Sequence, residues 1–239
     1  MVGKMKFISL SNFPGKTGQY YYTSLFRHFG ISATYTPIGT YDLKQSINDA
    51  IESNVTGISI SMPFKQEIIQ YLDDADPDVV EYQSCNTVKI QDGKLYGYNC
   101  DLAGVEHVSK LISGPVTILG NGAIGQMFNS YLQKIGHVNV KMCSRDLDWE
   151  DRHSAVGTII NCTPYGTANT DSPLDVLPKN VIMVIDMALT PGMLATQCND
   201  INYVSGTEFY KYQFLKQFET YTNIKLETAL YEKFETKPI

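Results

Sequence analysis

Four polar residues stand where a small substrate's oxygens could be held: Lys65, Asn86, Asn99 and Asp101. Lys65 follows Pro63, a good first helical residue, so the spacing predicts a helix over 65–72 with the ammonium in its first turn. A cation there faces the positive end of the helix dipole. An amine in that position suits proton transfer; on position alone it also reads as a flexible surface lysine. Asp101 opens a predicted helix, where an N-cap or dipole partner is the plain reading. Asn86 and Asn99 each flank a strand end and read as contacts to substrate hydroxyls or as turn formers. Residue type does not decide among these roles; the order of motifs along the chain bears on it.

A second set of residues suits a phosphate-bearing ligand. Val116-Thr117-Ile118-Leu119 is a short buried strand by pattern. It runs into Gly120-Asn121-Gly122-Ala123-Ile124-Gly125, a full G-x-G-x-x-G. Ile124, Met127, Phe128, Tyr131, Leu132 and Ile135 then recur at helical spacing, with Gly136 as a stop. Val138, Val140 and Met142 alternate as a second strand would. In a dinucleotide site the first glycine allows the tight turn, the second admits a pyrophosphate and the third lets helix pack on strand. The helix N-terminus adds positive potential. A Gly-rich turn in another α/β protein is the plainer alternative. The second strand ends Cys143-Ser144-Arg145-Asp146. A guanidinium at Arg145, with Ser144 before it, suits the 2′-phosphate of NADP. Asp146 keeps NAD possible, since an acidic residue there holds a ribose hydroxyl.

The elements that must position these residues alternate strand and helix. Phe7 to Leu10, Ala33 to Pro37 and Val55 to Ser61 read as strands, and Tyr20 to Phe29 and Leu43 to Glu52 as helices. That alternation predicts a parallel sheet. Asn86 to Ile90 and Lys94 to Tyr98 flank Asp92-Gly93, a hairpin turn. A helix from Asp101 to about Ile112 leads into the Val116 strand and is expected to bridge two domains. Gly157 to Asn161, Val181 to Ile185 and Asn202 to Ser205 supply further strands, and Glu208 to Tyr221 and Ile224 to Phe234 read as closing helices. The loops beyond those strand ends, Thr163-Pro164 among them, are cofactor contacts or ordinary turns.

Composition narrows the function classes. The chain has 239 residues, 43% of them hydrophobic, which allows two modest domains. A net charge of −6 with no basic stripe argues against nucleic acid. No apolar run approaches the ~20 residues of a membrane span. The first residues lack an apolar signal core, and five cysteines without metal spacing read as reduced thiols. A cytoplasmic protein without a metal is expected. Its partner is a small molecule, and the pattern fits a monomer or a homodimer.

The motif order is what specifies more. Pro63-Phe64-Lys65, then Cys85-Asn86-Thr87-Val88, then Gly97-Tyr98-Asn99-Cys100-Asp101-Leu102-Ala103-Gly104, resembles the shikimate dehydrogenase family. The G-x-G-x-x-G, Ser144-Arg145-Asp146, Asn161-Cys162-Thr163-Pro164-Tyr165-Gly166, and Gly206 with Gln213 continue the same pattern over nearly the whole chain. The resemblance implies an N-terminal α/β substrate domain, residues 1–103, completed by C-terminal helices over 208–239 that return to it. It implies a Rossmann-type NADP-binding domain over 104–207. It makes Lys65 and Asp101 the catalytic pair, and Ser61, Asn86, Asn99 and Gln213 substrate contacts. It assigns the cofactor to Gly120, Asn121, Gly122, Ala123, Ile124, Gly125, Ser144, Arg145, Thr163 and Gly206. The implied reaction is NADP-dependent interconversion of 3-dehydroshikimate and shikimate. Three blocks depart from the family pattern. Its carboxylate-binding serines fall near Lys16-Thr17-Gly18-Gln19, its Asn-Val-Thr at Ser59-Ile60-Ser61, and a tyrosine at Leu189. Lys16 and Thr17 are therefore expected to take the substrate carboxylate. The alternatives are the same chemistry on quinate, an aminated shikimate or another cyclic hydroxy acid, or a regulator that binds NADP without turnover.

Overall fold

The computed structural model describes residues 4–165 and 171–235. The chain forms two compact units, Met1–Cys100 with Phe214–Ile239, and Asp101–Gln213. The fold is mixed α/β with one sheet in each unit.

The first unit holds β1 (Met5–Ser11), α1 (Thr17–His28), β2 (Ala33–Gly39), α2 (Leu43–Glu52), β3 (Gly57–Ile60), β4 (Asp74–Ala75), α3 (Pro77–Tyr82), β5 (Thr87–Gln91) and β6 (Lys94–Tyr98). Its strand order is β2-β1-β3-β5-β6-β4. The expected parallel sheet is only partly present: β1 pairs with β2 and β3 in parallel, but β3–β5 and β5–β6 are antiparallel. The Asp92-Gly93 hairpin causes the change, because a two-residue turn must reverse the strand. Both turn residues have positive φ, +52° and +75°, as a type I′ turn requires.

Strand alternation sends β1 to two different cores. Ile8 and Leu10 join Leu43, Ile47, Ile58, Ile68 and Val79 in an aliphatic core. On the aromatic side Phe7 stacks against Phe26 and Tyr221, with centroids 5.4 and 4.9 Å apart. Tyr21 lies against Tyr231 and Tyr22 against Tyr35, at 4.7 and 4.3 Å. Of the three consecutive tyrosines at 20–22, Tyr21 and Tyr22 are buried core residues and Tyr20 is on the surface.

The helix expected over 65–72 is absent. Residues 62–66 form turns, and only Glu67–Tyr71 is helical, as 3₁₀. In an α-helix the Lys65 carbonyl would accept from Ile69 N–H. Here Cys85 N–H donates to it at 2.8 Å, and Ile69 N–H turns to Gln66 instead. A long-range bond has displaced a local one, so the dipole argument for Lys65 does not apply. The Met62–Pro63 peptide is cis.

The second unit holds α4 (Asp101–Ser109), β7 (Val116–Leu119), α5 (Ala123–Lys134), β8 (Val140–Cys143), β9 (Gly157–Asn161), β10 (Val181–Asp186), α6 (Met193–Thr196) and β11 (Asn202–Ser205). Its five strands, in order β11-β10-β9-β7-β8, are all parallel. Val138 lies outside β8 and is 90% exposed, so the predicted strand begins two residues later. Two long helical segments close the chain, α7 (Gly206–Thr222) and α8 (Thr228–Glu235). Among the described residues no helix is long and apolar enough to cross a membrane.

Candidate functional site

In the second unit the strand order turns back between β7 and β9, the place where open α/β sheets put their ligands. The glycine loop lies at that point. Gly120 has φ +101°, and a Cβ there would press on Cys162 and Thr163 at 3.1 Å. Gly122 caps α5 in extended backbone, and a Cβ on it would meet nothing within 4 Å. At Gly125 a Cβ would collide with the Gly120 carbonyl oxygen. The three glycines thus supply a strained turn, open space in front of a helix N-terminus, and a close helix–strand contact. That is the division of labour a pyrophosphate cradle needs. Asn121, Ala123 and Ile124 complete the loop, and Asn121 accepts from Gln126 Nε2 through its carbonyl at 3.1 Å.

Beyond β8, Ser144 and Leu147 exchange backbone hydrogen bonds at 2.8 and 2.9 Å. Arg145 and Asp146 form the exposed tip of that turn. Ser144 Oγ is buried and has no hydrogen-bond partner among the described residues. Beyond β9, Thr163 Oγ1 donates to Asn161 Oδ1 at 2.6 Å. Asn161 Nδ2 in turn donates to Asp186 Oδ1 at 3.0 Å. Gly206 N–H donates to Ala188 O, and a Cβ at Gly206 would strike the Met187 carbonyl. The structure therefore places Gly120–Gly125, Thr163 and Gly206 beyond the carboxyl ends of β7, β9 and β11 of one parallel sheet. Gly166 lies outside the described residues.

Asp186 was legible in the sequence only as a strand end. In the fold it is fully buried and ties three strand ends together, taking Asn161 Nδ2, Ala188 N–H and the Tyr203 hydroxyl. Burial pushes its carboxyl above the ordinary 3.8, opposed by those three donors. Tyr203 is raised as well, by burial and by the Asp186 charge. A carboxyl raised on folding binds its proton more tightly in the folded state. Its ionisation therefore removes stability as pH climbs from 3.8 toward the raised value. Denaturant unfolding of the wild type and Asp186→Asn across that window should show the wild type losing ground as pH rises. A difference that stays constant, or grows in favour of the wild type, contradicts this.

In the first unit, Lys16 is the exposed N-cap of α1 and Thr17 its first residue. Ser61 is exposed at the end of β3, and its N–H donates to Leu10 O. Lys65 is half-buried in the turn that follows, tied to the β5 approach by the Cys85 bond. Asn86 is 3% exposed and its carboxamide oxygen is committed: it accepts from Cys100 N–H at 2.9 Å and the Thr87 hydroxyl at 2.7 Å. Asn99 is 6% exposed at the end of β6 and borders a cavity together with Asp76, Lys89 and Lys216. Asp101 starts α4 and is 2% exposed, and Gln213 on α7 is buried; both belong to the second unit.

The residue that sequence reading missed here is Gln217. Its Nε2 donates to Asn86 O at 3.2 Å and to Thr87 Oγ1 at 2.7 Å. Its Oε1 accepts from the Tyr22 hydroxyl at 3.0 Å and from Ser59 Oγ at 3.3 Å. Ser59 also bonds Tyr35 and Tyr221. Burial raises both of these phenols, so they remain neutral. The only sequence signal was a second glutamine, one turn after Gln213, among the aromatic residues of the closing helix. Gln217→Ala would leave several buried groups short of a partner, at about 1–3 kcal/mol each when unsatisfied. We expect at least that loss in chemical unfolding; an unchanged midpoint would show the network is dispensable.

Comparison with known proteins bears on this arrangement. The family model for the shikimate dehydrogenase substrate binding domain matches residues 19–88. A shikimate dehydrogenase (NADP(+)) from Pyrococcus furiosus is 32% identical over 152 residues, 60% of this chain and 55% of the relative. The chain thus spans about half the length of that relative. The enzyme of the same name from Methanococcus maripaludis is 28% identical over 226 residues, covering 80% and 81% of the two chains. These matches support the shikimate dehydrogenase family. The fold is that of solved shikimate dehydrogenases: the crystal structure of the one from Aquifex aeolicus superposes with a TM-score of 0.84 over 99% of this chain and 100% of that one, at 21% identity. The chain pairs a substrate-domain fold with a Rossmann-type unit, as its motif order implied.

Proposed function

We propose that this chain is an NADP-dependent oxidoreductase that interconverts 3-dehydroshikimate and shikimate. The observation that carries the reading is the glycine cradle, in which open space at Gly122 faces a helix N-terminus. Loop and relatives' names together favour NADP. Gly120–Gly125 would hold the pyrophosphate, and Arg145 with Ser144 the adenosine 2′-phosphate, with NAD retained as a second nucleotide through Asp146. NADP, when bound, supplies the hydride acceptor or donor.

The remaining work falls to this chain's own residues. As the ring carbonyl becomes an alkoxide, Lys65 donates the proton and its charge stabilises the oxygen. Asp101 orients that ammonium and restores its proton. Asn86, Asn99, Ser61 and Gln213 meet the ring hydroxyls. Lys16, aided by Thr17, takes the carboxylate in place of the family's serines. The same Lys16 departure supports a second reading, the same chemistry on quinate, an aminated shikimate or another cyclic hydroxy acid. Turnover measured on a panel of such acids with both nucleotides separates them. Fastest NADP-linked oxidation of shikimate supports the first reading. Preference for another acid moves the assignment to the second. Nucleotide binding with no turnover on any acid leaves a regulator.

A further inference from the structure

Within the first unit, Gln217 on α7 is buried against Asn86 and Thr87, which are themselves buried. Two backbone groups there permit only one arrangement of the hydrogens. The Asn86 carbonyl can only accept, so the end of the Gln217 amide that faces it, at 3.2 Å, is the donor Nε2. The Cys100 N–H can only donate, so the end of the Asn86 amide that faces it, at 2.9 Å, is the acceptor Oδ1. Thr87 lies between the two amides. Its Oγ1 accepts from Gln217 Nε2 at 2.7 Å, which turns its own proton toward Asn86 Oδ1, also at 2.7 Å. The far end of Gln217 is held in the same sense, because Oε1 accepts from the Tyr22 hydroxyl and from Ser59 Oγ.

Asn86 Oδ1 thus takes two donors, one for each lone pair. What Asn86 can turn toward a substrate is its Nδ2 group, which only donates. A ring hydroxyl or ketone oxygen accepts from such a group, whereas an ammonium has no lone pair to offer it. Gln217 keeps that arrangement in place. Without it the Thr87 proton could turn elsewhere, and the Asn86 carbonyl would depend on Ile60 N–H at 2.8 Å. We propose that Gln217 is a positioning residue for substrate recognition. Acting through Thr87, it holds Asn86 as a hydrogen-bond donor to a neutral oxygen on the substrate ring. This rests on the oxidoreductase reading, in which Asn86 meets a ring hydroxyl.

Steady-state kinetics of the full chain at saturating nucleotide test it. The substrates are the cyclic hydroxy acid that the wild type oxidises fastest, and analogues that each lack one hydroxyl remote from the reacting carbon. Gln217→Met, which roughly keeps the volume, should lower kcat/KM on the parent acid by about tenfold, mostly through KM, and leave the KM for nucleotide unchanged. Thr87→Val should do the same. On one of the analogues both variants should match the wild type, because the hydroxyl that Asn86 meets is gone. A merely structural loss would lower every substrate alike. Replacing that same hydroxyl by an amine should lower the wild-type kcat/KM by at least about tenfold. Should Gln217→Met fail to melt cooperatively, Thr87→Val decides alone. Equal loss on the parent acid and every analogue, no loss in the folded variants, or full turnover of the amine overturns this proposal and leaves the oxidoreductase reading standing. A wild type that oxidises no cyclic acid overturns both.

Discussion

Lys65→Ala should lower turnover by about 10²–10⁴-fold while nucleotide affinity stays nearly constant. The reasoning begins with what a carbonyl needs when it becomes an alkoxide: a proton and a nearby positive charge. Lysine supplies both, and alanine neither. Lys65 is half-buried in the turn after β3, and its carbonyl is held by Cys85 N–H. Backbone placement there does not depend on the side chain, so the truncation should spare the fold. Steady-state kinetics with a nucleotide titration on the same preparation would check this. Full activity in the variant removes Lys65 from the chemistry. A parallel fall in nucleotide affinity would place it with the cofactor instead.

The second large effect is expected at Gly125, with Gly122 as its control. A Cβ at Gly125 has no room, since it meets the Gly120 carbonyl oxygen, and backbone cannot rotate aside as a side chain can. Gly125→Ala must push α5 away from β7, with an overpacking cost of about 1–3 kcal/mol. It should also weaken nucleotide binding, because Gly120 and the start of α5 move apart. Gly122→Ala meets nothing within 4 Å in the protein, and its φ of −77° suits any residue. It should leave the unfolding midpoint within about 0.5 kcal/mol of wild type. Nucleotide affinity should nonetheless fall in Gly122→Ala, because the methyl takes up the space a pyrophosphate would use. Equal nucleotide affinity in Gly122→Ala and the wild type would mean that the open space in front of α5 is not where the phosphates sit.

The candidate residues of the two units differed in how far they could be read from the sequence. The dinucleotide loop is local: strand, three glycines and helix are contiguous from Val116 to Lys134, and periodicity with glycine spacing specified them nearly to the residue. The Asp92-Gly93 hairpin was legible for the same reason, since positive φ at two adjacent positions selects such a pair. Lys65 was misplaced on a helix because Pro63 is a sound local signal that a remote donor, Cys85 N–H, overrode. The short β4 and α3 had no pattern long enough to register.

What residue order alone determined was the α/β class, the glycine loop and the succession of motifs that marks the family. Those properties reside in neighbours along the chain, whose spacing survives without knowledge of what packs where. Tertiary structure alone decided that Gln217 holds Asn86 and that Asp186 ties three strand ends. Each of these depends on buried polar groups finding partners from distant segments. Burial and hydrogen-bond geometry arise only when the chain has closed on itself, so no local pattern encodes them.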